Sequence, residues 1–174
     1  MKENQPVLDR IRRQTEYQQL LRGIEEGVAF GRKLPNEVTG LCEGAQIATL
    51  AALILDYKEK TGKGALVIVP DERRAKEVNA ALESCGLLSY AFPERDFVFY
   101  NITSSHEYEH ERVRILSEAA KGRFDAVVST MPAALQATMP PQVLQDCSLQ
   151  LEAGQSIPLD ELCEKALAAG YIQS

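Results

Sequence analysis

An open, mostly parallel α/β sheet with helices on both faces, a three-layer arrangement, is the fold class this sequence predicts. Three observations carry that expectation. Two continuous apolar runs, ALVIV at Ala65–Val69 and DAVVS at Asp125–Ser129, have the pattern of parallel strands buried on both faces. Helical stretches with apolar residues at i, i+3, i+4 and i+7 alternate with them. Glycine and proline punctuate the joins, and alternation of this kind winds into a parallel sheet. A chain of 174 residues makes one domain, or one domain and a piece of another.

The elements follow in order. Met1 to Phe30 reads as helix, with Tyr17, Leu20, Leu21, Ile24 and Val28 on one stripe. Arg10, Arg12, Arg13, Glu16 and Glu25 lie off it, as a solvated face. Pro35 and Asn36 break the chain before a short strand, a tight loop and a long helix over Asn36–Asp56. That helix has Ile47, Leu50, Ala51, Ile54 and Leu55 on its buried face. After the turn at Thr61–Gly64 and the ALVIV strand, Pro70 and Asp71 start a helix with Ala75, Val78, Ala81 and Leu82 inward. Gly86 stops it. Ser89–Phe92 and Asp96–Tyr100 are extended, and Ser104 or Ser105 caps a helix that ends at Lys121-Gly122, with Val113, Leu116 and Ala120 buried. Pro132 and Pro140-Pro141 start two short helices after the DAVVS strand. Ser148–Leu151 is extended, and a last helix over Pro158–Ala169 has Leu159, Leu162, Cys163, Ala166 and Leu167 inward.

Composition excludes several classes. The hydrophobic fraction of 45% supports a packed core rather than disorder. No apolar run reaches membrane-spanning length, and the polar N-terminus has no signal-peptide pattern. Cys42, Cys85, Cys147 and Cys163 show neither CxxC pairing nor metal-site spacing, which fits reduced thiols in a cytoplasm. A net charge of −6 opposes non-specific binding to a phosphate backbone, which needs a clustered positive face.

The strand–loop–helix at 36–56 is the frame of a phosphate-binding loop, as in P-loop nucleotide hydrolases. That loop, GxxxxGK[ST], holds phosphate with backbone N–H groups, neutralises it with Lys and binds magnesium through the hydroxyl. Laid on Gly40–Ile47, the sequence keeps Gly40 and departs elsewhere. Ala45 stands for the second glycine, Gln46 for the lysine and Ile47 for the hydroxyl. Glu43 adds negative charge beside Gly44, where phosphate would lie. On spacing alone the stretch also reads as an ordinary βα turn with glycines at tight positions; read as a phosphate loop it is degenerate and vestigial, with no cofactor of its own.

His106-Glu107-Tyr108-Glu109-His110 matches HExxH, the zinc-protease motif in which two histidines one turn apart bind the metal and the glutamate acts as base. These are the chain's two histidines, and they share a stripe with Arg114, Ser117 and Lys121, a solvent face. The match is read as fortuitous, with no metal site. There is no GxSxG nucleophile elbow. The acidic pairs Glu25-Glu26, Asp71-Glu72 and Asp160-Glu161 suit helix starts and exposed faces. Spacing alone yields no catalytic residue.

Read together and in order, YQQLLRGI, VTGLCEGAQIATLAALI, ALVIVPDERRAKEVNAAL, PERDFVFYNITSSHEYEHERVRIL, FDAVVSTMPAAL and SLQLEAGQSIPLDELCEKALAAGY resemble the N-terminal region of the bacterial transcription-repair coupling factors (the Mfd family). That region is itself similar to the start of the excision-repair subunit UvrB. The resemblance covers about Tyr17 to Tyr171. UvrB has the full phosphate loop; in the coupling factors it is degenerate, as Ala45, Gln46 and Ile47 are here.

The resemblance implies a non-catalytic module of a larger cytoplasmic protein that works in transcription-coupled nucleotide excision repair. The parent's motor, an ATP- and magnesium-using DNA translocase that pushes stalled RNA polymerase, would lie outside this chain. The module would recruit UvrA and hold the parent in a repressed form. A first domain would span residues 1–145, and an inserted, UvrA-binding second domain would begin at 146 and run to 174 and beyond. Most of the UvrA surface would follow Ser174, and Ile172 stands where relatives place a basic residue. Two other readings stay open. One is a hydrolase using nucleotide at Gly40–Ile47 or zinc at His106, Glu107 and His110. The other is an α/β interaction domain without further chemistry.

Overall fold

A computed structural model describes residues 4–29, 31, 35–95, 107–148 and 153–168. In chain order the elements are α1 (Gln5–Arg12), α2 (Thr15–Ala29), α3 (Glu43–Thr61), β1 (Ala65–Val69), α4 (Glu72–Ser84), β2 (Ser89–Phe92), α5 (Glu107–Ala120), β3 (Ala126–Thr130), α6 (Met131–Leu135), α7 (Pro141–Asp146) and α8 (Leu159–Ala168). The fold is mixed α/β around a small parallel sheet of three strands in the order β1-β3-β2. Among the described residues no helix is long and apolar enough to cross a membrane. The extended segment expected at Asp96–Tyr100, the Ser104 or Ser105 cap and residues 149–151 lie outside the described residues.

Local chemistry accounts for several boundaries. Asp71 caps α4, its side chain accepting from the Arg74 N–H at 2.8 Å, and Gly86 follows the helix with φ of +90°. Thr130 caps α6 in the same way, accepting from the Ala133 N–H, with proline in the first turn. Val67 and Ala91 both pair with Val128, so β3 is the centre of the sheet.

Side chains alternate across the sheet. Ala65, Val67, Val69, Ala126 and Val128 join the main core with Ala51 and Ile54 of α3 and Ala75, Val78 and Leu82 of α4. Tyr90, Phe92 and Val127 form a second cluster with Ile115 of α5 and Ala133 of α6.

Five expectations need correction. First, the strand expected at the start of 36–56 is not formed: residues 35–39 are irregular and exposed, with Val38 half-exposed. Val38 is the single apolar residue between Glu37 and Thr39, too little to hold a strand against the sheet. Second, β1 is not buried on both faces, because Leu66 and Ile68 are 62% and 39% exposed. As an edge strand β1 lies beyond α5 and α6, which pack over β2 and β3. Third, the N-terminal helix is two helices, and Arg12 is not on a solvated face. Its Nε donates to Asp56 Oδ1 of α3 at 2.8 Å. Fourth, α5 is turned on its axis: Arg112 and Ile115 are buried while Val113 is half-exposed. Fifth, the apolar stripe of α8 is not covered, and Leu159 and Leu167 are 72% and 57% exposed. On α3 the buried face is centred on Ala48, Ala51, Ala52 and Ile54, with Ile47, Leu50 and Leu55 half-buried beside it.

The Asp56 carboxylate also accepts from the Tyr17 hydroxyl at 2.6 Å, so α1, α2 and α3 meet at one group. Burial, and then the bond to Asp56, push the Tyr17 phenol above its ordinary range. A raised folded pKa confers stability that is complete below the unfolded value of about 10 and is lost as pH rises above it. Tyr17→Phe is expected to cost about 1.5 kcal/mol near neutral pH, the low end for a hydrogen bond to a charged group because Arg12 still holds Asp56. Urea unfolding at pH 7 and pH 11 checks it. The gap between variant and wild type should narrow at the higher pH. A constant gap would remove the titrating tyrosine from the account.

Candidate functional site

The degenerate phosphate loop lies at the head of α3. Gly40 has φ of +79°, a left-handed conformation glycine adopts without strain. Cys42 then enters the helix in extended geometry, without a side-chain cap. The helix begins at Glu43, so Glu43, Gly44, Ala45, Gln46 and Ile47 are all helical. In a phosphate-binding loop the residues between the two glycines must wrap around the anion with their N–H groups converging. Here two of the four counterparts, Glu43 and Gly44, are wound into the first turn.

Each replaced ligand group has another occupation. The Gln46 amide donates back to the Leu41 carbonyl at 3.1 Å, closing the loop on itself. Ile47 is half-buried and packs against the main core. Glu43 accepts from Arg74 Nη1 of α4 at 2.9 Å, and the same nitrogen reaches Glu77 at 3.3 Å. Those bonds, Glu43 first, raise the Arg74 guanidinium above its ordinary range. Nothing lies within 4 Å of where a Cβ on Gly44 would stand, so no close backbone approach requires glycine there. A groove of about 450 Å³ runs between α1, the head of α3 and α4, lined by Leu8, Gly44, Ile47 and Val78 with Glu43, Arg74 and Glu77 at its polar end. Two carboxylates and one committed arginine make it unfavourable for an anion.

The HExxH segment is divided. His106 lies outside the described residues, and of Glu107 only its place at the start of α5 is described. His110 is exposed on α5 and lines a second groove, of about 480 Å³, with Arg95, Arg112, Val113 and Met139. Among the described residues no group of three or more His, Cys, Asp or Glu side chains converges as a metal site.

Sequence reasoning missed the two residues that organise this side of the molecule. Arg112 stacks on Phe92 at 4.1 Å and Arg114 on Tyr90 at 5.0 Å, which explains the turn of α5 about its axis. Arg114 is held in a two-point pair with Glu111, at 2.8 and 2.6 Å, which holds that carboxyl below its ordinary range. The Glu111–Arg114 spacing of i, i+3 is readable in the sequence. Nothing in the spacing marks Arg112 as buried. Lys58 and Asp125, at 2.6 Å, were also unmarked; they join α3 to the start of β3.

Comparison with models of protein families, with curated proteins and with solved structures gives no match.

Proposed function

We propose that this chain is a non-catalytic N-terminal module of a bacterial transcription-repair coupling factor, acting in transcription-coupled nucleotide excision repair. One observation supports the non-catalytic reading above the others. At the head of α3 the lysine position is Gln46, bonded to its own loop, the hydroxyl position is Ile47 in the core, and Glu43 is held by Arg74. None of these three side chains is left to bind a nucleotide phosphate or magnesium. The three-layer, P-loop-like frame belongs to this proposal, and so does the division at residues 145 and 146. The three-stranded sheet, with Leu66 and Ile68 uncovered, is consistent with a first domain completed by later sequence.

In this reading the module recruits UvrA through the second domain and restrains the parent's distant, ATP-driven translocase. RNA polymerase and DNA are met by the parent, and this module brings no cofactor of its own. The reading frame downstream of the Ser174 codon tests the proposal. It is expected to encode the sequence motifs of a DNA translocase, and the encoded protein should capture purified UvrA. A frame without translocase motifs, or a full-length protein that retains UvrA binding unchanged after residues 1–174 and the rest of the inserted domain are deleted, would reject it.

A further inference from the structure

The groove between α5 and residues 137–144 contains a feature that the proposed function does not use. Arg112 is 4% exposed. Burying a guanidinium is costly unless its donors are satisfied. Nη1 donates to the Pro93 carbonyl at 2.5 Å, and the Phe92 ring covers one face. Nη2 is buried and has no hydrogen-bond partner among the described residues. Arginine stays protonated at neutral pH, so this is a charged, desolvated donor with one edge unused.

That arginine lines the groove of about 480 Å³, whose walls include the half-exposed apolar residues Val113 and Met139. Arg95 lines it too, and its charge acts on Arg112. Burial first, and then Arg95, lower the Arg112 guanidinium below its ordinary range, against Glu94. A negative ligand would offset the repulsion from Arg95 and compensate part of the cost of burial. Apolar walls strengthen a charge-assisted hydrogen bond by lowering the local dielectric. Among the described residues Glu109 is the one carboxylate on the lining, and it is exposed. The groove at the head of α3 has no such feature, since its arginine is already bonded to Glu43 and Glu77.

We propose that the groove beside α5 binds a small oxyanion, a phosphate or carboxylate group, on the unused edge of Arg112. The planar guanidinium offers the geometry such groups accept, and Val113 and Met139 would cover the bound group's apolar side.

Amide NMR of the 174-residue chain, titrated with inorganic phosphate and separately with acetate at constant ionic strength, tests this. Saturable shifts confined to residues 109–116 and 137–139 are expected with at least one anion. Saturation by phosphate alone identifies a phosphate group, by acetate alone a carboxylate, and by both a general oxyanion site. Val113→Glu places a negative charge on an exposed wall, where folding is insensitive, and should weaken the binding at least about tenfold. Arg112→Lys should weaken it further if that variant folds. Shifts that rise linearly and are spread over the basic surface, or an affinity that Val113→Glu leaves unchanged, would overturn the proposal.

Discussion

Replacing Leu82 with Ala is expected to destabilise the chain by about 2–5 kcal/mol, the cost of a large-to-small change in a packed core. Leu82 is completely buried on α4, which lies against all three strands. The main core it belongs to draws side chains from α1, α2, α3, α4, β1 and β3, so the cavity left behind cannot close by moving one loop. Stabilities of this order are a large share of what a domain possesses. Urea unfolding should show a lower midpoint with an unchanged slope. Leu135→Ala is the control, because Leu135 is 77% exposed and its loss should shift stability by no more than about 0.5 kcal/mol. Equal effects at the two positions would mean that α4 is not the main cover of the sheet.

What could be read from the sequence follows from how local its cause is. The span of α4 was legible because Asp71 and Gly86 act on their own neighbours. β3 was legible because it opens on the apolar run Ala126-Val127-Val128, as a central strand does whatever covers it. β1 is apolar throughout, yet its exposure depends on where α5 and α6 come to rest, which no window of five residues contains. Arg112 was illegible for a related reason. Charge patterning assigns arginine to solvent, and only the Phe92 ring, twenty residues earlier, makes its burial tolerable. At the candidate site the missing ligand groups were plain in the residue types. The early start of α3 was not, because glycine at Gly44 suggested loop while the helix continued through it.

No measurable binding of Mg-ATP is expected at millimolar concentration. A hydrogen bond to a charged group contributes roughly 1.5–3 kcal/mol, and each 1.4 kcal/mol is tenfold in affinity. Losing the lysine at Gln46 and the hydroxyl at Ile47 should therefore weaken binding by about two to four orders of magnitude. Glu43 adds repulsion, although its bond to Arg74 screens part of it. Restoring the side chains alone should not restore the site. The variant with Glu43→Gly, Ala45→Gly, Gln46→Lys and Ile47→Thr is expected to give no binding heat in calorimetry, because α3 already occupies the path the loop would need. Saturable heat from a folded quadruple variant would show that the first turn of α3 unwinds into a cradle. Tight Mg-ATP binding by the unmodified chain would reject the non-catalytic reading.

The strand order β1-β3-β2 also sets a schedule for biosynthesis. β1 and β2 are separated in space by β3, and neither is hydrogen-bonded to the other. On the ribosome, a nascent chain that has emerged only as far as Phe124 carries both outer strands and cannot pair them. The Asp125 carboxylate, which accepts from the Leu88 N–H and from Lys58, arrives at the same moment as β3. Closure therefore joins residues up to 67 positions apart. Long-range pairings of this kind slow folding and keep apolar surface open in the meantime. For this protein that surface is the ALVIV run, and the interval in which a chaperone has most to hold lies between the emergence of Val69 and that of Thr130.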